Sequence, residues 1–224
     1  MAEIIVAFDQ PSARDALVLA DRLPELTWAK IGAVLYVRDG PALVREFLAR
    51  GTRVFLDLKW HDIPTTVAGA VAAARDQGVH LATVHCLGGT AMLEAARRAA
   101  GELALVGVTV LTSHDAADFA RVVGRPVEAL SAEAERLAQL ARAAGLKGVV
   151  SSGHEVAGLR RLLGPDAWIV VPGVRRPGEP VSDQARTVGP AEAVNAGASH
   201  LVVGRSIADA ADPVRAYKEF QACV

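Results

Sequence analysis

Between residues 55 and 64 the chain reads FLDLKWHDIP, an apolar run that rises to Asp57, Lys59 and Asp62 before Pro64 interrupts it. Charges at the end of a strand-like run are costly to bury unless they are paired. Asp57 and Lys59 stand two apart, which on a strand puts both side chains on one face. An amine flanked by carboxylates favours its ammonium form, so Lys59 suits an acid or a cationic stabiliser better than a free-amine nucleophile. Taken alone, these residues allow a structural salt bridge, a metal site using Asp57, Asp62 and His61 or His85, or a catalytic acid. Lys59 beside a metal ion would repel it.

Other segments add to the choice. LVVGRSI (201–207) ends an apolar run in Gly204-Arg205 ahead of a short helical segment, offering backbone N–H groups and a guanidinium to an anion such as phosphate. VPGVRRPGEPVSDQARTVGP (171–190) is long, polar and rich in Pro and Gly, the character of a lid or binding loop. The chain holds 24 basic residues, of which only Lys30, Lys59, Lys147 and Lys218 are lysines, so a retained lysine draws attention. Lys147 and Lys218 read as surface charges, and His85, Cys86 and His154 as packing or hydrogen-bonding groups.

The elements that must hold these groups follow from hydrophobic patterning. Eight β-branched apolar runs fall at 3–8, 27–32, 52–58, 81–86, 103–111, 147–152, 167–171 and 200–204. They are continuous rather than alternating, as parallel strands covered on both faces should be. Helical segments are expected at 12–23, 38–50, 64–77, 89–100, 131–144, 154–163, 190–196 and from about Asp212. Ser12 and Asp15 form a capping-box pattern, Pro213 opens the last helix, and Gly51, Gly78, Gly101, Gly145, Gly164 and Gly197 close helices. Eight β-α units in 224 residues predict an α/β protein, a (β/α)₈ or TIM barrel formed as one domain over 1–224, with an open doubly wound sheet as the rival. In such barrels chemistry gathers at the C-terminal strand ends. Those ends carry Asp9, Lys30, Asp57 with Lys59, His85, Thr112 with Ser113, Ser151 with Ser152, and Gly204 with Arg205, whereas the strand starts promise little.

Composition narrows the function classes. At 51% hydrophobic and 22% charged, the chain can bury a large core. A formal net charge of −1 without a basic block argues against nucleic acid, and no apolar run is long enough for a membrane span. MAEIIVAFDQ lacks the pattern of a signal peptide, and Cys86 and Cys223 read as reduced thiols, so a cytoplasmic protein is expected.

DLKWHDIPTTV (57–67) closely resembles the DxKxxDI signature of the orotidine 5′-monophosphate decarboxylase family. The resemblance runs along the chain through VAFD, AKIG (29–32), VHCLGG (84–89), VTVLTS (108–113), PGVR (172–175), DQAR (183–186) and VVGRSI ahead of DPVRAY. It implies conversion of orotidylate to UMP and CO₂, the last step of UMP synthesis, without metal or organic cofactor. It also implies a catalytic array of Lys30, Asp57, Lys59 and Asp62, with Asp62, Ile63 and Thr66 reaching a neighbouring subunit's site in a homodimer. By the same resemblance Asp9 and Lys30 bind ribose hydroxyls, Thr112 and Ser113 the pyrimidine, and Arg175, Gln184, Gly204 and Arg205 the phosphate under the 172–189 loop. Trp60, Thr65 and the acid-free IGAVLY segment depart from the common family pattern without removing a charged catalytic position. Two rivals stay open: the related magnesium-dependent 3-keto-gulonate phosphate decarboxylases and hexulose phosphate synthases, which carry Glu where this chain has Lys30, and a non-catalytic nucleotide-binding barrel.

Overall fold

A computed structural model describes residues 2–23, 25–176, 179 and 186–224. Among these residues eight parallel strands close into a barrel in sequence order: β1 (Glu3–Phe8), β2 (Trp28–Gly32), β3 (Arg53–Trp60), β4 (Leu81–His85), β5 (Ala104–Val108), β6 (Gly148–Val150), β7 (Trp168–Val171) and β8 (His200–Val203), with β8 paired to β1. The closed order excludes the open doubly wound sheet.

The connecting helices are α1 (Ala13–Asp21), α2 (Ala33–Ala49), α3 (Pro64–Asp76), α4 (Gly89–Ala100), α5 (Ala116–Val123), α6 (Leu130–Ala143), α7 (Val156–Leu163), α8 (Pro190–Asn195), α9 (Arg205–Ala208) and α10 (Pro213–Gln221). Ser12 caps α1 by accepting the Asp15 N–H at 3.2 Å, and Asp212 caps α10 by accepting the Arg215 N–H at 3.1 Å. The six helix-closing glycines all take positive φ, between 55° and 106°, where a side chain would be strained.

Three expectations are corrected. α2 begins at Ala33 rather than 38, running through a kink at Gly40 (φ 42°, ψ −130°). Pro41 lacks an N–H and drives the residue before it out of helical geometry, so the helix is kinked at Gly40, and the turns before the kink were not read as helical. α5 was not expected: its eight residues, AADFARVV, bury only Phe119, so no broad apolar stripe marks them as a helix. β3 continues past residue 58 to Trp60, and this extension carries the chemistry.

Strand alternation sorts the side chains into two cores. One face meets the helices through Val6, Phe8, Ile31, Val54 and Leu56. The other fills the barrel with Ile5, Ala7, Trp28, Phe55, Leu81, Val106, Val170 and Val202. Two residues further along the inward-facing series lie Asp9, Lys30, Asp57 and Thr83, so polar groups sit directly above an apolar plug.

The strand starts overturn the expectation that they hold little. Glu3 receives the Trp28 indole N–H at 2.8 Å and the Arg53 guanidinium at 2.5 Å, and that guanidinium lies 4.4 Å from the Trp28 ring centroid. Burial pushes the Glu3 carboxyl up, but hydrogen bonds from Arg53 and Trp28 prevail and hold it below the usual range. Buried His200, with Nε2 3.4 Å from Glu3, is pushed down to about 4, mainly by burial. These residues lie far apart in sequence: Glu3, Trp28 and Arg53 meet across β1, β2 and β3, and closure of the barrel adds His200 of β8. Among the described residues no helix is long and apolar enough to cross a membrane.

Candidate active site

At the C-terminal end of the barrel four charges alternate in sign across the first three strands. Asp9 follows β1 and accepts from Lys30 of β2 at 3.3 Å; Lys30 Nζ lies 3.9 Å from Asp57 Oδ2. Lys59 Nζ contacts both Asp57 oxygens, at 2.8 and 2.9 Å. Burial pushes the Asp57 carboxyl up, yet the Lys30 and Lys59 charges and hydrogen bonds from Lys59 and Thr83 outweigh it, so it stays below the usual carboxylate range and ionised. The Asp57 and Lys30 side chains are 15% and 11% exposed, whereas Lys59 is 40% and Asp9 66% exposed, so the row is buried in its middle and open at both ends. Gly32 keeps this row uncrowded: a Cβ there would stand 3.3 Å from Lys30 Nζ and 3.5 Å from Asp9.

The same-face argument for Asp57 and Lys59 reaches the right pairing by the wrong geometry. Lys59 has φ +50°, the one positive φ outside glycine among the described residues, and the β3–β4 register shifts between Leu56 and Trp60. It is a bulge beside a candidate active site, a common way to re-aim a side chain, and the left-handed backbone costs about 1–2 kcal/mol.

A cavity of about 240 Å³ opens over the row and is lined by Asp9, Lys30, Asp57, Lys59, Thr112, Arg175, Gly204 and Arg205 among others. Nine of the expected residues divide here: those eight meet in one cavity, whereas Ser113 is exposed and outside its lining. Asp62, Ile63 and Thr66 are likewise exposed and outside it; Asp62 accepts the Ile63 N–H at 2.6 Å, and Ile63 is 64% exposed. Gln184 lies outside the described residues. Arg175 donates to Ser206 Oγ at 3.4 Å, linking the 171–190 segment to α9.

Further groups complete the site, of which Thr83, Glu155 and Arg186 were not singled out from the sequence. Thr83 bonds both Asp57 and the Lys59 backbone; Ser151 lines the cavity and donates to Glu155 at 3.1 Å. Arg186 pairs with buried Glu155 and donates to the Leu111 carbonyl at 3.3 Å, tying the far end of the 171–190 segment to the ends of β5 and β6. The DQAR motif was the available signal for Arg186. His85 stacks on His61 with centroids 5.5 Å apart and accepts the Leu87 N–H at 3.3 Å; burial first, then the His61 and Lys59 charges, push it down to about 4. Among the described residues no group of three or more His, Cys, Asp or Glu side chains is arranged to hold a metal ion.

Size does not single out the site: depressions of about 940 Å³ around His61, Arg125 and Arg136, and of about 720 Å³ at the opposite barrel end around Trp28, Arg53, His80, Lys147 and Trp168, are both larger. Neither is lined by the Asp9–Lys30–Asp57–Lys59 row, and the smaller cavity is the stronger candidate for chemistry.

The family model for orotidine 5'-phosphate decarboxylase / HUMPS matches residues 2–220. The chain belongs to this family. It is 48% identical over 221 residues to orotidine 5'-phosphate decarboxylase of Alkalilimnicola ehrlichii, covering 96% of this chain and 93% of that protein. It is 50% identical over 220 residues to the same-named protein of Halorhodospira halophila, covering 95% and 92%. The crystal structure of orotidine 5'-phosphate decarboxylase from Lactobacillus acidophilus matches with a TM-score of 0.87 at 31% identity, covering 100% of this chain and 99% of that one. Within this decarboxylase family, the alternating row at the barrel mouth is the feature on which a mechanism must rest.

Proposed function

We propose that the chain decarboxylates orotidine 5′-monophosphate to UMP and CO₂, the last step of UMP synthesis, using no metal or organic cofactor. The observation that carries this reading is the row Asp9–Lys30–Asp57–Lys59 facing one cavity in a member of the decarboxylase family. Breaking the C6–carboxylate bond leaves an electron pair on C6 with no conjugated sink. Lys59 stabilises that charge and then gives a proton to C6, becoming a neutral amine that solvent reprotonates. Asp57 faces the substrate carboxylate while it holds the Lys59 ammonium through both its oxygens.

Asp9 and Lys30 take the ribose hydroxyls, Thr112, which lines the cavity, the pyrimidine, and Arg175, Gln184, Gly204 and Arg205 the phosphate. Phosphate bound far from C6 supplies binding energy that closes the 172–189 loop over the substrate. Asp62, Ile63 and Thr66 serve the site of a second copy, so the working unit is a homodimer of single-domain chains in the cytoplasm. Their exposure in one chain supports this role.

Loss of orotidylate absorbance, followed with and without a chelator, tests the activity. Equal rates in both are expected. A rate that collapses with chelator and returns with magnesium would move the chain to the metal-dependent branch, and no orotidylate consumption would remove the decarboxylase reading.

A further inference from the structure

Thr83 is fully buried, uncharged, and stands where β3 leaves its register. Leu56 pairs with Ala82 and Trp60 with Val84, so Asp57, Leu58 and Lys59 together face Thr83 alone. In that crowded step the Lys59 N–H donates to Thr83 Oγ1 at 2.8 Å, and Thr83 Oγ1 donates to Asp57 Oδ1 at 3.1 Å. A hydroxyl has one proton to give. Because the Lys59 N–H uses a lone pair of Oγ1, the hydroxyl proton is free to point at the carboxylate. One atom therefore fixes the strained backbone of the cation and the side chain of its counter-ion.

We propose that Thr83 is a positioning residue of this site: its hydroxyl binds the left-handed Lys59 backbone and the Asp57 carboxylate into one unit, aiming the ammonium into the cavity. The proposal rests on the decarboxylase reading above. Without the hydroxyl, the Lys59 N–H loses its acceptor and the bulge loses its tie to β4. Asp57 loses the neutral side-chain donor it has among the described residues, keeping Lys30 from β2 and Lys59 from β3, with Asp9 beyond Lys30.

Two conservative substitutions separate positioning from packing. Thr83→Val keeps the shape and removes the hydroxyl, whereas Thr83→Ser keeps the hydroxyl and removes a methyl. Positioning predicts a fall in kcat on the order of 10- to 100-fold for Thr83→Val, with KM changed by only a few-fold, and near-normal kcat for Thr83→Ser. Packing predicts the reverse order. Losing a donor to its charged form raises the Asp57 pKa, so the acid limb of kcat/KM moves to higher pH in Thr83→Val and stays in place in Thr83→Ser. Wild-type kcat and an unmoved acid limb in Thr83→Val overturn the proposal, as does a Thr83→Ser defect as large as that of Thr83→Val. If Thr83→Val does not fold, Thr83→Ala, which differs from Thr83→Ser only by the hydroxyl, takes its place, with a kcat equal to that of Thr83→Ser overturning the proposal. A carbon-13 titration of the Asp57 carboxyl separates this failure from failure of the decarboxylase reading. Absence of CO₂ release by the wild-type chain strikes only that reading, while an Asp57 pKa unchanged on removing the hydroxyl strikes the role of Thr83.

Discussion

The two ends of the barrel both hold paired charge, and they spend it differently. At the N-terminal end Glu3 is met by the Trp28 indole and the Arg53 guanidinium, and Arg53 stacks on Trp28, so the group closes on itself. At the C-terminal end Asp9, Lys30, Asp57 and Lys59 form a line with an open end in the cavity. Charge whose partners all lie within the group has little left to offer an incoming molecule, and losing one partner leaves the other uncompensated. Charge held with one end facing a cavity keeps an electrostatic field available to whatever enters. Sequence shows two sets of polar residues on the same strands; only closure of the ring separates their roles.

The contrast breaks first at Lys59. Lys59→Ala should lower CO₂ release by about four orders of magnitude or more, with an unchanged circular dichroism spectrum; near-normal turnover would remove it from the chemistry. Next, Asp62→Ala and Lys59→Ala chains, each inactive alone, should recover up to about a quarter of normal activity when mixed, since hybrid dimers carry one intact site. No recovery in mixtures shown by mass spectrometry to contain hybrids would exclude a shared site. Arg205→Ala should raise KM by on the order of 10- to 100-fold, measured by steady-state kinetics, and a pure kcat effect would count against phosphate binding.

Changes at the other end should act on stability alone. Trp28→Phe removes the donor to Glu3 and some volume, costing about 1–3 kcal/mol in urea unfolding with kcat/KM within about twofold; loss of activity without loss of stability would erase the division between the ends. The smallest effect is a pH dependence. His200 and His85 are both held down to about 4 from 6.5, so the unfolded chain takes up protons first as pH falls through that window. Stability should therefore decline from about pH 6.5 toward 4, and further below it as Asp57 and Glu3, both held below their ordinary values, take up protons. A melting temperature that rises across the first window would contradict the burial of these imidazoles.

Much of the barrel was legible because each strand announces itself: continuous runs of Val, Ile and Leu, ended by charged or hydroxyl residues, then a helix closed by glycine. Lys30, Asp57 and Lys59 were legible because a charge at the end of an apolar run needs a reason. Thr83 was not, since a β-branched residue inside a strand looks like packing whether or not its hydroxyl is used. The left-handed Lys59 was hidden by the assumption of strict alternation, which holds only while the register does. Glu3, Trp28, Arg53 and His200 were missed as a group because nothing local links residues so distant along the chain.

The β3 bulge also makes the site a matter of chain length. Four steps from Leu56 to Trp60 answer two from Ala82 to Val84, a surplus of two residues. An even surplus leaves Trp60 on the side it would occupy in a straight strand, packed against the helix-facing core, where an odd one would turn the rest of the strand inside out. Changes of length in this stretch should therefore be tolerated two residues at a time and not singly, which urea unfolding of chains shortened by one and by two residues would show.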